Sequence, residues 1–138
     1  MSLTPQQLFD FAAGLDAALS EAHARSAISR AYYALMHRAD EIIPAELGRP
    51  TDRGSTHERV IEAVERHGAG RLPGRSLARQ LTRALRELKN QRVDADYQLH
   101  ENISAENARK CVARARTALS WCDDIDRQIG KNSPHTGG

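Results

Sequence analysis

SAISRAYYALMH, residues 26–37, decides how this chain is read. Ile28, Tyr32 and Leu35 recur at the spacing of one face of an α-helix. Ala39 and Ile42 continue the stripe, so the helix spans about His23 to Ile43 and stops before Pro44, whose ring disfavours helix in the residue ahead of it. Ala24, Ala27, Ala31 and Ala34 keep part of its surface small, which allows neighbouring helices to come close. At about 100° per residue, Arg30, Tyr33 and His37 fall on a different side. The stretch is a packing helix that also carries an Arg-Tyr-His strip.

The flanking sequence gives more of the same. Thr4-Pro5-Gln6-Gln7 has a capping hydroxyl, a proline suited to the first helical position and a glutamine that closes a capping box. A first helix follows to about residue 20, with Leu8, Phe11, Ala12, Leu15 and Leu19 as its apolar face. Residues 44–54 hold two Pro and two Gly and read as a loop. Ser55-Thr56-His57-Glu58 is a second capping box, opening a short helix with Val60, Ile61 and Val64 inward. His67 to Gly74 reads as another loop. Arg75 to Gln91 forms a fourth helix on Leu77, Leu81, Leu85 and Leu88. The segment from Arg92 to Asn102 is polar and less periodic. Ser104 caps a last helix to about Ile129, with Ala108, Cys111, Ala115, Leu119, Cys122 and Ile129 inward. No window alternates like a strand. The expectation is an all-α, antiparallel up-and-down bundle of about five helices. It forms one domain over residues 1–129, with a disordered tail at 130–138.

Composition narrows the function classes. The chain of 138 residues is long enough for a core without staples. Aromatic residues make up 4%, so aliphatic side chains must fill that core. No apolar run approaches the roughly 18 residues of a membrane span, and no signal peptide is evident. On one helix, Cys111 and Cys122 stand about 16 Å apart along the axis, too far for a mutual disulfide. Reduced thiols and a cytoplasmic setting follow. The net charge of +2 does not by itself imply nucleic acid. The histidines and cysteines lack metal-ligand spacing, and GAGRLPG lacks the ending of a phosphate loop, so neither metal nor cofactor is expected.

Four features remain as candidates for chemistry. Arg30 reads as a buried ion-pair partner, with Asp94 or Asp96 as the nearest suitable acid. RVDADYQLH gathers Arg92, Asp94, Asp96, Tyr97 and His100 at a helix junction. An arginine there can support a phosphoryl transition state and a histidine can move a proton, although the same residues make an ordinary polar loop. Arg75, Arg79, Arg83 and Arg86 form a row opposite the leucines, extended by Arg71, Lys89 and Arg92. It tracks phosphates or is simply a solvated face. His57 shares a side with Val60, Ile61 and Val64 and is either a satisfied core histidine or a group reaching the junction.

SAISRAYYALMH, then THERVIEAV, then RVDADY before a last helix together resemble the HEPN superfamily, in particular its small stand-alone bacterial members. The resemblance covers roughly residues 5–128. It implies an up-and-down helical bundle, usually dimeric. It also implies a metal-independent ribonuclease of toxin–antitoxin, phage-defence or RNA-processing systems, often beside a nucleotidyltransferase-like partner. The family's active motif pairs an Arg with a His after four to six intervening residues. Here Arg92 stands in the expected place, but Tyr97 follows where a His would begin the range and His100 comes one residue too late. Asp96 and Tyr97 match the subgroup's A-D-Y. The site expected is therefore Arg92 on phosphate, His100 or His57 as acid–base group, and Asp96 and Tyr97 beside them. Arg75, Arg79, Arg83 and Arg86 serve as tracking contacts, and an Arg30–Asp96 pair holds the junction. The function expected is an RNA- or nucleotide-binding protein, as an enzyme a metal-independent endoribonuclease. The alternative is a catalytically inactive interaction module.

Overall fold

The computed structural model describes residues 3–43, 56–70 and 73–131. Five helices run through them: α1 (Pro5–Gly14), α2 (Glu21–Ile42), α3 (Thr56–Ala69), α4 (Arg75–Tyr97) and α5 (Ala105–Lys131). There is no strand among the described residues. The loop expected at 44–54, the Ser55 end of the second capping box, Arg71 and most of the tail lie outside the described residues. α5 runs two residues past the expected boundary at Ile129.

α2 is the centre of the all-α bundle, packing against each of the other four helices. Its stripe of Ile28, Tyr32, Leu35, Ala39 and Ile42 is buried, and Ala24, Ala27, Ala31 and Ala34 are buried with it. Small side chains on several sides of one helix let more than one neighbour approach its backbone. α4 contributes Leu81, Leu85 and Leu88, and α5 contributes Ala108, Ala115, Cys122 and Ile125. Burial pushes the thiols of Cys111 and Cys122 up to about 11 and about 12, so both stay protonated core groups. α1 and α2 run antiparallel, as do α3 and α4, and α4 and α5. α2 and α5 lie side by side in the same direction. Glu21 accepts from the Ile103 amide at their starts, and Arg38 reaches Asp123 (3.0 Å) and Asp126 (3.3 Å) near their ends.

Three element boundaries differ by more than two residues from the sequence reading. α1 stops at Gly14 rather than near residue 20. The Asp16 carboxylate takes the Ala18 amide at 3.0 Å, and the Leu19 amide turns back to the Asp16 carbonyl. Ser20 then caps α2 by accepting from the His23 amide. This turn leaves Leu19 exposed, and Phe11 is exposed too. Phe9 and Ala12 are the anchors of α1. α3 continues through Ala69. His67 is buried there and shares a 2.7 Å hydrogen bond with the Pro73 carbonyl. Gly74, at φ +82°, turns the chain into α4 in a conformation that disfavours any side chain. α4 does not end at Gln91 but runs to Tyr97. Arg92 and Ala95 are both buried and extend the register of Leu81, Leu85 and Leu88 by one more turn. The supposed junction loop is therefore helix as far as Tyr97.

Candidate functional site

Two arginines occupy core positions where the start of α2 meets the end of α4. Arg25 lies on the stripe of Ile28 and Tyr32, and Arg92 on that of Leu85 and Leu88; both are buried. Their surroundings differ. Arg25 donates through Nη1 to the carbonyls of Asp94 (3.1 Å) and Ala95 (2.8 Å). Its Nη2 is shared among the carbonyls of Gln98, Leu99 and Glu101. The last carbonyls of a helix have no partner within it, and a cation suits the negative end of the helix dipole. Arg25 therefore caps α4 and fixes the turn into α5.

Arg92 sits in an aromatic enclosure. Its guanidinium carbon is 5.7, 5.6 and 5.8 Å from the ring centres of Tyr32, Tyr33 and Tyr97. These are cation–π distances. Its ion-pair partner is Asp96, one helical turn on, at 3.6 Å. Asp96 also accepts from the Ser29 hydroxyl at 3.1 Å. The Arg92 Nε is buried without a hydrogen-bond partner, which is uncommon for a buried donor.

His57 closes the cluster from α3. Its ring stacks on Tyr32, with centres 5.4 Å apart and planes 10° apart, and meets Tyr33 edge-on at 5.4 Å. Its Nδ1 is 2.8 Å from the Tyr32 hydroxyl. Burial, then the neighbouring basic groups, Arg92 first, lowers its pKa below the usual histidine value, so the ring is mostly neutral at pH 7. Burial pushes the Tyr32 phenol up to about 12, against the pull of Arg92, so it stays protonated. Nδ1 is occupied by Tyr32, so any proton exchange with a substrate falls to Nε2. A base role requires the Nδ1–H tautomer, in which Nδ1 donates to the tyrosine oxygen and Nε2 carries the lone pair.

The site residues expected from the sequence divide. Arg92, Asp96, Tyr97 and His57 come together. His100 does not join them: its side chain is 75% exposed and lies 3.7 Å from Glu101. The Arg30–Asp96 pair is corrected outright. Arg30 is exposed and borders a shallow depression with Phe11 and Ser26, because its position falls off the buried stripe of α2. The buried arginine of α2 is Arg25, and the partners of Asp96 are Arg92 and Ser29. Arg75, Arg79, Arg83 and Arg86 are all exposed on α4, but the row is not one-signed in space. Glu65 of α3 pairs with Arg86 at 2.9 Å, Glu58 pairs with Lys89 at 2.9 Å, and the Arg79 Nε donates to the Gly68 carbonyl. Among the described residues, Arg75 and Arg83 form no ion pair.

Arg25, Ser29 and Tyr32 were missed as functional positions, while Tyr33 of the Arg-Tyr-His strip does join the cluster, without Arg30. A signal was present: Arg25 and Arg92 each stand where the helical register requires an apolar residue. No protein-family model, no curated protein and no solved structure matches the chain. No helix among the described residues is long and apolar enough to cross a membrane.

Proposed function

We propose that the chain is a HEPN-like RNA-binding protein that cleaves RNA without a metal, using Arg92 and His57. One observation carries the reading: both residues lie against the same tyrosine pair. A buried guanidinium with an unpartnered Nε thus stands beside an imidazole that is mostly neutral at pH 7. A neutral imidazole accepts a proton, and a guanidinium stabilises charge building on phosphate oxygens. In the step proposed, His57 Nε2 takes the proton of a ribose 2′-hydroxyl. The oxygen attacks the adjacent phosphorus, the bond from phosphorus to the 5′-oxygen breaks, that oxygen leaves with a proton from water, and the hydroxide so formed takes the proton back from His57. A 2′,3′-cyclic phosphate and a 5′-hydroxyl result. Asp96 and Ser29 orient Arg92. The HEPN resemblance supports a cytoplasmic homodimer in a toxin or phage-defence system, with an antitoxin or nucleotidyltransferase-like partner.

One observation favours a second reading, a catalytically inactive binding module. Arg92 is only 9% exposed at its side chain, so phosphate must displace part of its tyrosine enclosure. RNA cleavage in EDTA by wild type, Arg92→Lys and His57→Gln separates the two, with folding of each checked by circular dichroism. Loss of cleavage by about a hundredfold in both variants supports the nuclease. Salt-sensitive RNA binding without cleavage supports the module. The absence of both rejects the pair.

A further inference from the structure

The three tyrosines of this chain all lie against Arg92, but they differ in what their other surfaces meet. Tyr32 is fully buried and Tyr33 is half-buried among core side chains. Tyr97 is 69% exposed. It is the last residue of α4, and the backbone around it is held: Arg25 binds the carbonyls of Asp94 and Ala95 before it and those of Gln98 and Leu99 after it. Leu99, two residues on, is 73% exposed as well. A large ring on a fixed backbone, open to solvent and next to a cation, has little conformational freedom to lose when something flat covers it.

We infer that Tyr97 is a stacking platform for one unpaired nucleobase of the RNA, placed so that a phosphate of the same strand meets Arg92. The inference rests on the reading that Arg92 takes RNA phosphate. Tyrosine stacks on every base and carries no sequence code, so the site selects single strands over duplex rather than one base over another. The adjacent guanidinium favours a nucleotide over an uncharged aromatic group. A base in a duplex, stacked on both sides, cannot use the platform.

The test is fluorescence anisotropy with the full chain and two labelled 2′-O-methyl octamers, which lack the attacking hydroxyl and stay intact. One is octa-adenylate and the other is its abasic counterpart with the same phosphates. Tyr97→Ala is expected to weaken octa-adenylate roughly 5- to 150-fold, the range for one stacked base. Tyr97→Phe is expected to stay within about twofold of wild type, since the ring is kept. Neither variant is expected to change binding of the abasic strand. Equal octa-adenylate affinity for wild type and Tyr97→Ala overturns the platform. If Arg92→Met still loses both strands in that case, the phosphate reading survives. Equal loss of both strands in Tyr97→Ala also overturns the platform, because it makes Tyr97 a support for Arg92. Failure of wild type to bind either strand overturns the phosphate reading and the platform together.

Discussion

Arg25 and Arg92 are buried to a similar degree, one on each of two antiparallel helices; each has a carboxylate at 3.6 Å, but the rest of their surroundings differ. Arg25 faces backbone oxygens that need donors: five carbonyls take its two terminal nitrogens, and the Glu21 carboxylate lies 3.6 Å from its Nε. Arg92 faces three tyrosine rings and one carboxylate at 3.6 Å, and its Nε has no acceptor. A buried charge whose donors are used by the fold contributes to stability. One whose donors are held back contributes less and is available for a ligand. Burial alone therefore does not separate a structural arginine from a functional one; the count of satisfied donors does.

The strongest way to break this contrast is to remove each charge in turn. Arg25→Met leaves the end of α4 uncapped and should cost about 3–5 kcal/mol in urea denaturation. Arg25→Lys should recover only part of that, because one ammonium cannot span both groups of carbonyls. Arg92→Met should change stability by less than about 1.5 kcal/mol, since Asp96 keeps Ser29 and partial access to water. The same variant should weaken RNA binding at least about tenfold. Similar stability losses in the two variants would make both arginines structural.

A smaller effect sharpens the electrostatic side of the comparison. Burial, and after it the charge of Arg92, lowers the pKa of His57, so the ring should titrate below 6.5 by NMR and move part of the way upward in Arg92→Met. A depressed histidine favours the fold while it is neutral. That contribution is present above 6.5 and is lost as pH falls through the lower folded value. The acidic limb of any cleavage profile should fall in the same window, below 6.5. The smallest effects belong to the outer row. Arg86→Ala breaks an exposed pair with Glu65 and should cost under about 1 kcal/mol. Arg83→Ala should leave stability unchanged and reduce the slope of RNA affinity against salt by about one, the signature of a lost phosphate contact.

Much of the fold was legible because it is written in the spacing of α2 and α5, whose expected apolar residues are buried, Ile129 only partly. The reading failed where one polar residue occupied an apolar position. Arg92 hid the last turn of α4, since a charged side chain looks like the end of a stripe unless its register is followed through to Ala95. For the same reason Arg30, on the exposed side, was chosen over Arg25. The start of α1 at the Thr4 capping box was legible, but its C-terminal end was not, because the chain turns at Asp16, whose side chain takes the Ala18 amide, a local bond that periodicity does not reveal. The site was half legible. Arg92, Asp96 and Tyr97 are close in sequence, but the approach of His57 depends on how α3 packs on α2 and α4. The arginine row looked one-signed because its acids, Glu58 and Glu65, belong to another helix.

Arg25 also determines which changes the corner between α4 and α5 can accept over generations. It reads main-chain oxygens, which every residue type supplies, so the side chains from Gln98 to Glu101 are open to drift. Chain length there is not. One residue added or removed between Asp94 and Glu101 would shift the carbonyls out of step with a single guanidinium. Surface loops are ordinarily where insertions and deletions accumulate. This one is expected to keep its length while its composition varies.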